Sequence, residues 1–90
     1  MKVIYKYKVQ PSVMIREGAE ILKIAYQNGE LYLWAMVDSE ADEEERNFCI
    51  VGTGNKLSSK AKNGTYLETV FQQGYVWHIF EYNCKQETSC

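Results

Sequence analysis

The sequence predicts an all-β domain with little helix, either a compact six-stranded antiparallel barrel or a two-layer sheet. Three observations support this. Apolar and polar residues alternate with period two in several short runs, and no run of useful length shows the 3.6-residue period of a helix. Asn28-Gly29 joins two such runs and is the dipeptide best suited to a type I′ hairpin turn. Seven Tyr, two Trp and three Phe among 90 residues suit half-covered strand surfaces, because Tyr and Trp carry an apolar body with a polar tip.

The first strand is expected from Lys2 to Val9, with Val3, Tyr5, Tyr7 and Val9 inward and Lys2, Lys6 and Lys8 outward to blunt an edge or meet solvent. Gln10 to Gly18 reads as a connection, punctuated by Pro11 and Gly18, whose Val13, Met14 and Ile15 form a short cover over the sheet. The hairpin from Ala19 to Asp38 organises the rest. A two-residue turn pairs residues whose numbers sum to about 57, so Leu22, Ile24 and Tyr26 face Ala35, Leu33 and Leu31 on a core side. Ile21, Lys23 and Ala25 then face Met36, Trp34 and Tyr32 on an aromatic side that wants a ligand, a partner chain or a second sheet.

Ser39 to Glu45 reads as an acidic loop or helical turn; its spacing lacks the Gly and the terminal Glu of a calcium loop. Arg46 to Thr53 is apolar on both faces and reads as a central strand. It ends at Gly52-Thr53-Gly54-Asn55, a turn able to aim several N–H groups at one point as an anion nest. Lys56 to Gly64 reads as a mobile basic loop beside it, and Thr65 to Phe71 with Tyr75 to Tyr82 as a second hairpin of open register. Residues 1–82 thus make one domain and 83–90 a frayed tail.

Composition bounds the function. A net charge of −2 argues against binding long nucleic acid through a broad basic surface. Six of the twelve acids fall between Asp38 and Glu45, so the charge is unevenly placed. Cys49, Cys84 and Cys90 are odd in number and follow no apolar leader, which predicts reduced thiols and a cytoplasmic chain. No apolar run approaches a membrane span. His78 stands alone, without a nucleophile and acid around it for a triad, and reads as a hydrogen-bonded core residue on a buried strand. No metal-ligand spacing, Walker loop or dinucleotide fingerprint is present, so a binding protein without cofactor or metal is expected rather than an enzyme.

Candidate ligand contacts follow from residue chemistry. Lys23, Tyr32 and Trp34 share the aromatic face and suit a stacked base with a nearby charge. Arg46, Thr53, Asn55, Lys56 and Lys60 suit phosphate oxygens or base edges through charge-assisted hydrogen bonds. An alternative gives Trp34 and its neighbours to a subunit interface.

The series GAEIL, then LWAMVD, R-x-F ending in IVGTGN, and YVWHIFE resembles a family of small phage-encoded proteins over Met1 to Glu81. Asn55 stands where that pattern more often has His, and Lys56 to Gly64 lacks its proline-bearing turn. Phage proteins of this size and style include homo-oligomeric sponges that sequester cyclic dinucleotide immune signals without cleaving them. The resemblance implies such a role in the host cytoplasm. The alternative is an inhibitor that docks on a host protein through its acidic stretch.

Overall fold

In a computed structural model the described residues, 1–83, form two antiparallel sheets around one core. The strands are β1 (Lys2–Lys8), β2 (Ser12–Arg16), β3 (Glu20–Gln27), β4 (Glu30–Asp38), β5 (Glu43–Gly52), β6 (Thr65–Gln72) and β7 (Tyr75–Tyr82), with a short helix α1 (Ser59–Lys62) before β6. Sheet A has the order β1-β4-β3 and sheet B the order β2-β5-β7-β6. The expected all-β class is therefore present as two sheets, and they do not close into a barrel. The tail expected over 83–90 lies, beyond Asn83, outside the described residues, as do Cys84 and Cys90.

The first hairpin takes the turn its sequence predicts: Asn28 and Gly29 both sit at positive φ, 54° and 82°, and Gln27 pairs with Glu30. Alternation then places Ile24, Leu31, Leu33, Ala35 and Val37 in the core. One correction is needed at the far end. A bulge between Ile21 and Lys23 shifts the register, so Ile21 pairs with Ala35 and packs on the core, while Leu22 is 44% exposed. The expected core position of Leu22 and outer position of Ile21 are thereby exchanged.

There are seven strands where six were expected, because Ser12–Arg16 is a strand rather than a cover. Val13 and Ile15 point into the core from it, and Phe48 N–H donates to Pro11 O at 3.0 Å, so β5 holds this segment as an edge. The chain crosses from sheet A to sheet B at Gln10-Pro11, where Val9 N–H still bonds Leu31 O of sheet A at 2.9 Å. A proline suits this corner because its missing N–H withdraws it from a ladder.

The acidic stretch is only partly a loop, since Glu43, Glu44 and Glu45 open β5 opposite Arg16, Ile15 and Met14. As expected, β5 is a central strand, flanked by β2 and β7. The second hairpin adopts the two-residue option: Gln73 and Gly74 have φ of 45° and 90°, setting Phe71 against Val76 and Val70 against Trp77. The basic loop contains one structured turn. Ser58 caps α1 by accepting the Ala61 N–H at 3.2 Å, and Ala61 is buried beneath the helix.

Candidate functional site

The outer face of sheet A is built by register. Lys6, Trp34 and Lys23 form one row across β1, β4 and β3, and Lys8, Tyr32 and Ala25 form the next. Paired residues project to the same side of a sheet, so these six side chains share one surface. Trp34 and Tyr32 are half-buried, with ring centroids 6.4 Å apart at an interplanar angle of 56°. The Lys6 ammonium lies 4.5 Å from the Tyr32 ring centroid, a cation–π contact, and donates to Gln27 Oε1 at 2.9 Å. α1 packs on β5 and β7, so this face is not covered by it.

The face has its own electrostatic frame. Glu30 accepts from Lys8 Nζ at 3.0 Å and from the Tyr32 hydroxyl at 3.1 Å. The Lys8 hydrogen bond, and then that from Tyr32, holds the Glu30 carboxyl below the usual carboxylate range. The same bond raises Lys8 above an ordinary lysine, and the bond to Glu30 raises Tyr32. Lys23 reaches Glu68 of sheet B at 4.0 Å, 63% exposed, so its charge remains presented to solvent. Sequence reasoning placed Lys23, Tyr32 and Trp34 together correctly on this surface. It missed Lys6 and Lys8, because the pairing of β1 with β4 is not local; only their alternation in Lys2–Lys8 hinted at a common face.

The remaining candidates do not join this face. Arg46 forms a two-point pair with Glu81: its Nη2 donates to Oε1 at 2.7 Å and its Nε to Oε2, while Nη1 donates to Ala19 O at 2.9 Å. The Glu81 hydrogen bond raises the Arg46 pKa further above its ordinary value. This guanidinium ties β5, β7 and the start of β3 together at the wall of an open cleft of about 650 Å³. Lys60 stands over the Tyr82 ring at 5.2 Å and lines a cleft of about 380 Å³ with Cys49, whose thiol burial pushes up. Lys56 is exposed in the loop.

Thr53 and Asn55 line a separate pocket of about 230 Å³ with Gly54, Leu57, Tyr66, His78 and Phe80. The Gly52–Asn55 turn is closed by Asn55 N–H to Gly52 O at 3.1 Å, and Gly54 supplies the required positive φ of 87°. His78 is hydrogen-bonded as expected, through both nitrogens, but it is half-buried at this pocket rather than in the core: Nε2 meets Thr53 Oγ1 at 2.8 Å and Nδ1 meets Thr69 Oγ1 at 2.9 Å. The Thr69 hydroxyl in turn meets the Tyr66 hydroxyl at 2.5 Å. No lysine lines this pocket, so the Gly52–Asn55 turn and the basic loop do not come together there around a phosphate. Among the described residues no three His, Cys, Asp or Glu side chains group to hold a metal ion. Among the described residues no helix is long and apolar enough to cross a membrane.

Sheet and site together define a small two-sheet β domain that presents an aromatic strand face edged with lysines. The chain belongs to the family DUF7352, a domain of unknown function, which matches residues 1–89. No curated protein and no solved structure matches it.

Proposed function

We propose that this protein binds a cyclic dinucleotide on the outer face of sheet A and holds it without cleaving it. In the phage setting that its motifs resemble, it would act as a homo-oligomeric sponge in the host cytoplasm, lowering the free concentration of an immune signal. The observation that carries the reading is the Lys6–Trp34–Lys23 row beside Lys8–Tyr32, two aromatic rings with cations on both flanking strands. Each base stacked on an aromatic ring contributes about 1–3 kcal/mol. The ammonium groups supply charge-assisted bonds to phosphate oxygens.

Calorimetry against a panel of cyclic dinucleotides tests this, with the ligand recovered after denaturation and weighed. Saturable binding with intact ligand is expected, and Trp34→Ala should weaken it about 5- to 150-fold, the equivalent of 1–3 kcal/mol. Absence of heat at micromolar protein, or recovery of a cleaved ligand, sinks the proposal. A second reading, docking on a host protein through acidic residues, has its own observation: Asp42, Glu43, Glu44 and Glu45 are all exposed. Capture of one purified basic partner that is lost when these four are neutralised would favour it over the first.

A further inference from the structure

We infer that the pocket under the Gly52–Asn55 turn is a second binding site, for one uncharged planar heterocycle carrying both donors and acceptors, the chemistry of a nucleobase. It is independent of the sheet A face, since its residues belong to β5, β6, β7 and the loop that follows β5.

Size sets the first limit. A volume of about 230 Å³ is that of roughly eight waters at ~30 Å³ each. It falls below the range of about 300–1,000 Å³ typical of drug-sized ligands, so it suits a single ring system. Charge sets the second. Val51, Leu57, Tyr66 and Phe80 line it with Thr53, Asn55 and His78, and no Lys, Arg, Asp or Glu does. A phosphate or carboxylate placed here would lose its water without gaining a countercharge.

Shape and polarity point to an aromatic occupant. Tyr66 and Phe80 oppose each other across β6 and β7 with centroids 5.7 Å apart at 70°, making a rigid aromatic wall. Gly54 has no side chain to keep a flat ring from the opposite backbone. The polar groups are held in place beforehand. Thr53 Oγ1 meets His78 Nε2 at 2.8 Å, His78 Nδ1 meets Thr69 Oγ1 at 2.9 Å, and Thr69 meets the Tyr66 hydroxyl. The relay ends at Tyr66, which offers the pocket a lone pair with one His78 tautomer and a proton with the other. The Gly54 N–H has no acceptor among the described residues and adds a donor.

A nuclear magnetic resonance titration of the full chain with uridine and adenosine, and with inorganic phosphate as a third probe, tests the assignment. Saturable shifts are expected at the Gly54 amide, the His78 ring and Tyr66 with at least one nucleoside, and they should persist whatever the Trp34 indole does. Tyr66→Ala, at an exposed position, should weaken the binding at least about tenfold, and Thr53→Val should weaken it through the freed imidazole. Trp34→Ala should leave it unchanged. The inference is overturned by an absence of shifts at the pocket up to the solubility limit, by shifts confined to the Trp34 face, by undiminished pocket binding in Tyr66→Ala, or by phosphate occupying the pocket. Failure here leaves cyclic dinucleotide binding at Trp34 as a separate measurement.

Discussion

Replacing Glu81 with Ala should cost far more than removing an ordinary surface charge. Two donors of Arg46 meet both oxygens of Glu81, and the two side chains are only 18% and 21% exposed. Breaking a fully buried pair from one side costs about 3–5 kcal/mol. An exposed pair is worth about 0–1 kcal/mol. The remaining exposure places Glu81→Ala between these limits, at about 2–3 kcal/mol, with Arg46 left facing Ala19 O and a wet cleft. In a domain of this size each kcal/mol moves the melting temperature by about 4–8 °C, so a fall of roughly 8–24 °C is expected. Urea denaturation followed by circular dichroism should show a lower midpoint at unchanged slope. The double variant Arg46→Met, Glu81→Leu should be more stable than the sum of the single losses, because it leaves no buried charge unpaired. A loss under about 0.5 kcal/mol, or strictly additive single variants, refutes the clamp. Arg46→Met, measured where it remains folded, should keep its affinity for any ligand of the sheet A face.

Three further perturbations address other parts of the molecule. Ile21→Ala should cost about 1–2 kcal/mol and Leu22→Ala under about 0.5 kcal/mol in the same urea titration; the reverse order would deny the bulge. Gly64→Ala should destabilise sharply or prevent folding, since its Cβ would stand 2.5 Å from Glu81 O and 2.8 Å from Lys60 O, both backbone atoms; wild-type stability would show that the loop can move away. Asp38 is held below the usual carboxylate range by the Glu40 N–H first and the N-terminal ammonium second, and Glu30 by Lys8. Both carboxyls therefore contribute stability that is complete above an unfolded value of about 4 and lost as pH falls through their depressed folded values. Asp38→Asn with Glu30→Gln should flatten the dependence of the urea midpoint on pH below about 4, and an unaltered slope would count against these contacts.

The hairpin of β3 and β4 was legible because Asn28-Gly29 fixes register within two residues and Ile24, Leu31 and Leu33 repeat the pattern. The bulge was not, because Ile21 and Leu22 are equally apolar and alternation cannot say which turns inward. Ser12–Arg16 escaped because it is short, follows a proline, and gains its partner from β5, with Met14 set against Glu45 and Arg16 against Glu43 far along the chain. α1 spans only Ser59–Lys62, too few residues to display a period, although Ser58 is a fitting cap. Among the candidate contacts, Lys23, Tyr32 and Trp34 lie within one hairpin and could be grouped by arithmetic. Arg46 could not be resolved, since its partner Glu81 is 35 residues on and no local pattern connects them. The same holds for His78 with Thr53, brought together only when β5 and β7 pair.

The crossover at Gln10-Pro11 sets an order of events during synthesis. It sends β1 and β2 to different sheets, and their partners β4 and β5 are made later. At about 5–20 residues per second, the ribosome needs roughly 1.5–6 s to go from the end of β1 to the end of β4. Through that interval the N-terminal segment has no neighbour of its own, while β3 and β4 can close as soon as both emerge. The oldest part of the nascent chain must therefore dock onto a younger hairpin, and a chain interrupted before Glu30 leaves Lys2–Lys8 as an unmatched strand open to intermolecular pairing.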